Sequence, residues 1–215
     1  MPPKVTGVAG VILAGGRSSR LGRPKALLDV GGTSLIERIA CTLDRIFCQL
    51  FVVTNFPELL PPVPASIVGD VVACRGPISG IHSGLVHSRQ PYVFVVACDM
   101  PFVAPDLIRA MCEARDGFDA VVPDMGGGLE PLFAVYGDRC TGLFGTCLER
   151  GDGRIVSIYD KIRIRWFVKQ EVEAFGPPGR LFYNINTEDD YRRALALLAG
   201  AQDPGLSPNG LPADS

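Results

Sequence analysis

Only two histidines and a formal net charge of −2 in 215 residues exclude several common chemistries. His82 and His87 have neither zinc-ligand spacing nor a nucleophile beside them, so surface or helix packing accounts for both. A near-neutral chain has no global pull on nucleic acid or an anionic membrane, and any anion site must come from local placement of Arg, Lys and backbone amides. No apolar run approaches the ~20 residues that span a bilayer. No N-terminal segment joins a basic start, a long apolar run and a small-residue cleavage site. A soluble, unexported, cytoplasmic protein with no nucleic-acid or membrane partner is therefore expected. The cysteines at 41, 48, 74, 98, 112, 140 and 147 are an odd number and contain no C-x-x-C pair, which predicts buried thiols in a reducing compartment. No internal repeat is visible.

What is present is a globular composition, 47% hydrophobic and 20% charged, in a chain long enough for one core that buries roughly two-thirds of its unfolded surface. One domain is expected over 1–199, as a monomer or weak homo-oligomer, with residues 200–215 a disordered tail rich in Gly, Pro, Asp and Ser. Val8 to Leu13 is a β-branched run closed by glycines and reads as a strand buried on both faces. Ser34-Leu35-Ile36-Glu37 has capping-box spacing, and Leu35, Ile36, Ile39, Ala40, Leu43, Ile46 and Phe47 recur at helical intervals. Further strands are predicted at Leu50 to Thr54, Ser66 to Gly69, Tyr92 to Ala97, Ala120 to Val122, Pro131 to Tyr136 and Arg163 to Val168. Helices are predicted at Ser79 to Ser88, Pro105 to Ala114, between Asp138 and Arg150, and after Thr187, which has Asp190 three residues on. Strands alternating with helices give an α/β three-layer sandwich around a mainly parallel sheet, with a small mixed or antiparallel extension. Ligands of such sheets gather beyond the carboxyl ends of the strands. The loops after Leu13, at Asn55 and at Asp99 would share that crevice.

The loop after the first strand carries Gly15, Gly16 and Gly22 among Arg17, Arg20, Arg23 and Lys25. It is not a P-loop, because Arg23-Pro24 intervenes before Lys25 and Ala26 takes the hydroxyl position. Nor does it fit G-x-G-x-x-G. Glycines let the backbone approach a ligand closely and turn N–H groups inward, while Arg20 and Lys25 add full charges. The loop reads as a polyphosphate cradle.

Leu13-Ala14-Gly15-Gly16, Arg17 to Gly22 and Lys25-Ala26-Leu27-Leu28 together resemble the signature of Rossmann-like nucleotidyltransferases, in particular the molybdenum cofactor guanylyltransferases. The resemblance extends to Asn55, to Asp70 before Arg75-Gly76-Pro77-Ile78-Ser79-Gly80, to Cys98-Asp99-Met100-Pro101 and to Asn184-Ile185-Asn186-Thr187. It implies GTP and molybdopterin as substrates, Mg²⁺ as cofactor and carrier or insertion proteins of the molybdenum cofactor as partners. It further implies Lys25, Asp99 and Arg20 as catalytic groups and Leu13, Ala14, Gly15, Gly16, Lys25, Asn55, Asp70 and Asp99 as nucleotide contacts. Asp99 becomes the Mg²⁺ ligand; Asn186 either faces the same metal or caps the last helix. Cytidylyl-transferring relatives usually carry Ala where this chain has Gly15, so guanine is favoured over cytosine. The Gly126 to Leu132 loop resembles the family's pterin side but has Glu130 where relatives place His before Pro. Each reading has a plainer rival: Asp99 capping the following turn or helix, Asn55 and Asp70 as turn residues. In Lys161-Ile162-Arg163-Ile164-Arg165 a strand would set three cations on one face, as a protected sheet edge or a docking face for the pterin or a carrier. A cytidylyltransferase, a sugar-1-phosphate nucleotidyltransferase and a nucleotide-binding regulator are the alternative functions.

Overall fold

The computed structural model describes residues 2–15, 21–72 and 76–200. Its strands are β1 (Val8–Leu13), β2 (Leu50–Val53), β3 (Ser66–Val68), β4 (Tyr92–Ala97), β5 (Ala120–Asp124), β6 (Phe133–Gly137) and β7 (Ile164–Val168), and its helices are α1 (Leu35–Asp44), α2 (Pro77–His87), α3 (Pro105–Glu113), α4 (Arg139–Glu149), α5 (Lys169–Glu173), α6 (Pro178–Leu181) and α7 (Glu188–Leu198). The strands form one sheet in the order β3-β2-β1-β4-β6-β5-β7. All neighbours are parallel except the pairs that β6 makes with β4 and β5. A single reversed strand thus makes the far half of the sheet mixed.

Strand side chains alternate between two apolar layers, as pleating requires. Val8, Ile12, Phe94, Val96, Phe133 and Val135 face α1, α3 and α7. Ala9, Val11, Val93, Val95, Ala134 and Tyr136 face α2 and α4. Helices cover both faces, so the sheet reads as near-continuous apolar runs. The capping boxes form at both sites named from the sequence, Ser34 with Glu37 and Thr187 with Asp190.

Several boundaries differ from the sequence reading for local reasons. Helix α2 starts at Pro77, where a missing N–H costs nothing, after Gly76 at φ 112. Strand β6 starts two residues late because Phe133 N–H closes a turn on Glu130 O. The three-cation face does not form: Lys161 ends a 3₁₀ segment, Ile155–Lys161, before β7 begins. Arg163 Nε lies 3.8 Å from Asp119 Oδ2 and Arg165 pairs with Glu171, so acids offset this charge at edge strand β7. The cysteine reading needs the same correction, since Cys41 and Cys48 are exposed, while Cys98, Cys112, Cys140 and Cys147 are buried. Cys74 and the tail from residue 201 lie outside the described residues. No helix of the described residues is long and apolar enough to cross a membrane.

His82 is buried in α2 with Nδ1 lacking a hydrogen-bond partner among the described residues. Its Nε2 lies 3.5 Å from where a Cβ on Gly145 of α4 would sit, whereas Nδ1 of His87 bonds Ser83 O at 2.8 Å. Helix packing explains both histidines. Burial holds the His82 imidazole below its ordinary value of 6.5, so the unfolded chain binds the proton more readily. That contribution to stability is whole above about pH 6.5 and is lost as pH falls through the lower folded value. In His82→Leu, the fall in thermal midpoint on acidification from pH 7 should be shallower than in the unsubstituted protein. Parallel curves would exclude His82 as the source.

Candidate active site

The carboxyl ends of β1, β2 and β4 open onto one cavity of about 600 Å³, within the range of small-molecule sites. Its lining includes Leu13, Ala14, Gly15, Lys25, Asn55, Asp70 and Asp99. These residues come from five separated stretches of chain, and every described nucleotide contact inferred from sequence is among them. Gly16 and Arg20 lie outside the described residues. Asn186 does not line the cavity but reaches its edge through Lys25.

Each position follows from local packing. Cys98 N–H donates to Leu13 O at 3.0 Å, carrying the β1–β4 ladder one step past the strand, and Met100 N–H turns back onto Ala97 O. Asp99 stands at that turn and its carbonyl accepts from Ile185 N–H at 2.9 Å. Lys25 opens a 3₁₀ turn, Lys25–Leu27, pinned by buried Ala26 and by fully buried Leu28. On the far wall, Asn55 Nδ2 donates to Asp70 Oδ2 at 2.7 Å and Asp70 N–H donates to Asn55 Oδ1 at 3.0 Å. The pair therefore forms one clasp that leaves carboxylate acceptor capacity toward the cavity.

Lys25 Nζ lies 2.8 Å from Asp99 Oδ2 and 2.7 Å from Asn186 Oδ1. The other carboxylate oxygen, Asp99 Oδ1, is buried with no hydrogen-bond partner among the described residues. The plainer readings of these residues do not hold. Helix α3 has no side-chain cap, and α7 is capped by Thr187, with Asp190 accepting from the N–H groups of Asn186 and Thr187. Two hard oxygen donors converge on one cation, here an ammonium, and this set suits magnesium or a similar divalent ion. Cys98 also lines the cavity, but burial and then the Asp99 charge push its thiol up to about 12. It is no nucleophile at neutral pH.

Gly15 has no positive φ, and a Cβ there would meet nothing within 4 Å among the described residues. Among the described residues neither backbone nor packing demands glycine, and Gly15 lines the cavity. Sequence reasoning assigned no role to Thr54, gave Leu132 only as the end of the loop on the pterin side, and gave Gly76 to Gly80 only as part of the resemblance; all of these stretches line the site. Gly76, Pro77 and Gly80 bring a helix N-terminus to the wall, a favourable environment for anions. The Gly-Pro pair followed by a helix was the signal available. Glu130 is not among the lining residues; burial pushes its carboxyl up to about 7 at the base of the hairpin that delivers Leu132.

A family model described as the MobA-like NTP transferase domain matches residues 10–164. The chain is 37% identical over 193 residues to a probable molybdenum cofactor guanylyltransferase of Pelotomaculum thermopropionicum, covering 90% of this chain and 94% of that one. A molybdenum cofactor guanylyltransferase of Desulfosudis oleivorans is 34% identical over 193 residues, covering 89% and 96%. Among solved structures, the molybdopterin-guanine dinucleotide biosynthesis protein A of Archaeoglobus fulgidus superposes with a TM-score of 0.80 at 26% identity, over 89% of this chain and 99% of that one.

Proposed function

The chain belongs to the MobA-like NTP transferase family, and from that premise we propose that it transfers GMP from GTP to the terminal phosphate of molybdopterin. A phosphate oxygen of the pterin bonds to the α-phosphorus of GTP, the bond from that phosphorus to the bridging β-oxygen breaks, and pyrophosphate departs with the electron pair. The product is the guanine dinucleotide form of the molybdenum cofactor. One observation carries this reading: the nucleotide contacts inferred from separate stretches of sequence, Leu13 to Gly15, Lys25, Asn55, Asp70 and Asp99, meet in one cavity.

The attacking phosphate is already an anion at neutral pH, so no general base is needed. Positioning and charge neutralisation remain as the protein's tasks. Lys25 offers its cation to the phosphates; Ala14 N–H is already given to Val53 O at 2.9 Å, which leaves the Gly15 amide beside it, and the resemblance adds Arg20 to the same task. Asp99, with Asn186 beside it, would hold Mg²⁺. When bound, the metal neutralises charge on the triphosphate and orients its oxygens. The Asn55–Asp70 clasp lies where its carboxylate can accept from donors on a purine base or ribose.

Incubating the protein with Mg²⁺, molybdopterin and either GTP or CTP, followed by mass analysis, tests the assignment. A guanine dinucleotide is the expected product. Formation of dinucleotide from CTP alone would reverse the base assignment, and GTP binding without turnover would favour the regulator. Gly15→Ala should keep the thermal midpoint and raise KM for GTP roughly tenfold or more, the usual cost of one carbon misplaced in a fitted site. An unchanged KM would remove Gly15 from purine selection.

A further inference from the structure

Lys25 fills the space between two oxygen donors. Its ammonium sits between Asp99 Oδ2 and Asn186 Oδ1, at 2.8 and 2.7 Å. Hydrated cations reach Asp99 from the cavity, and of its two oxygens Oδ1 is closed off from solvent. The side chain is 19% exposed, so the accessible oxygen is the one that Lys25 already holds. A divalent cation needs oxygen at about 2.0–2.6 Å and repels an ammonium at the same oxygens. Both cannot occupy this position.

We propose that Lys25 and the divalent cation exclude one another from Asp99 and Asn186, so that nucleotide phosphates, by drawing Lys25 away, open the metal site. This rests on the reading of Asp99 as the metal-holding acid. Two features make the exchange feasible. Lys25 has a long flexible stem whose anchor is the short turn around buried Ala26, so its head can move while its backbone stays. The triphosphate brings its own negative charge, which compensates Lys25 for the carboxylate it leaves. Metal and nucleotide are then coupled through one side chain with two alternative partners. Reciprocity follows, since metal on Asp99 releases Lys25 toward the phosphates and phosphates on Lys25 release Asp99 toward metal.

The test is binding of Mn²⁺ alone, followed by calorimetry or by the electron paramagnetic resonance of free Mn²⁺, without nucleotide or turnover. Lys25→Met and Lys25→Gln should each bind Mn²⁺ more tightly than the unsubstituted protein, within the roughly 5- to 150-fold span of such couplings. Circular dichroism and the thermal midpoint establish that each variant is folded. Arg23→Met is the control for through-space charge, because Arg23 pairs with Glu188 at 3.4 Å and stacks on Tyr191. It removes a cation two residues from Lys25 whose partners among the described residues are Glu188 and Tyr191 rather than Asp99 or Asn186. Equal tightening in that variant would reduce the effect to bulk electrostatics and overturn the exchange. So would Lys25 variants with unchanged or weaker Mn²⁺ affinity that Asp99→Ala still abolishes; the metal assignment would then survive alone. Mn²⁺ binding that ignores Asp99→Ala would remove both.

Discussion

Asp99→Asn is expected to lower kcat for dinucleotide formation by roughly 10²- to 10³-fold, the scale seen when one electrostatic stabiliser of a transition state is removed, while the thermal midpoint moves by no more than about 3 °C. The two readouts separate because the substitution is nearly isosteric. An asparagine amide oxygen can still accept from Lys25, which lies 2.8 Å from the carboxylate, and the backbone bonds that set the turn are untouched. What disappears is the negative charge, and a neutral amide is a poor partner for a divalent cation beside a triphosphate. Asn186→Ala offers a graded comparison, expected to cost less because a neutral donor is lost. Near-normal turnover in Asp99→Asn would place the metal elsewhere.

The fold was legible wherever apolar pattern and punctuation agreed. Strands β1 and β4 are read to the residue, since Val8–Leu13 and Tyr92–Ala97 are uninterrupted apolar runs bounded by turn residues. Both capping boxes were visible because the hydroxyl and the acid stand three residues apart and need no tertiary partner. The short helices α5 and α6 were missed, having 5 and 4 residues, too few for a periodicity to emerge. The cation alternation at Lys161 to Arg165 misled for a related reason. Spacing cannot reveal that Asp119, 44 residues before Arg163, draws its backbone N–H into a bond and fixes where the strand begins. Within the site, side chains flagged by chemical type were legible and their pairing was not. That Asn55 grips Asp70, or that Lys25 spans Asp99 and Asn186, depends on which loops the strand order brings together.

Adding one methyl should move stability in opposite directions at two helical glycines. Gly142 in α4 has nothing within 4 Å of its would-be Cβ among the described residues, and Gly142→Ala should gain about 0.5–1 kcal/mol of helix propensity, a rise of roughly 1–4 °C in thermal midpoint. Gly84 in α2 lies against β1, and a Cβ there would come within 2.8 Å of both Val11 γ-carbons. Val11 is fully buried and β-branched, so its methyls can yield only if the strand or helix moves. Overpacking of about 1–3 kcal/mol then exceeds the propensity gain, and Gly84→Ala should melt several degrees lower. Gly80 separates packing from function within the same helix. Its Cβ would meet Leu13 Cδ2 at 2.8 Å, the end of a flexible side chain that lines the cavity, so the clash is relieved by pushing Leu13 into the cavity. Gly80→Ala should therefore lose less stability than Gly84→Ala and raise KM for GTP more. The reverse order, measured by calorimetric melting and initial rates on the same preparations, would show that α2 shifts as a rigid unit and that Leu13 holds its place.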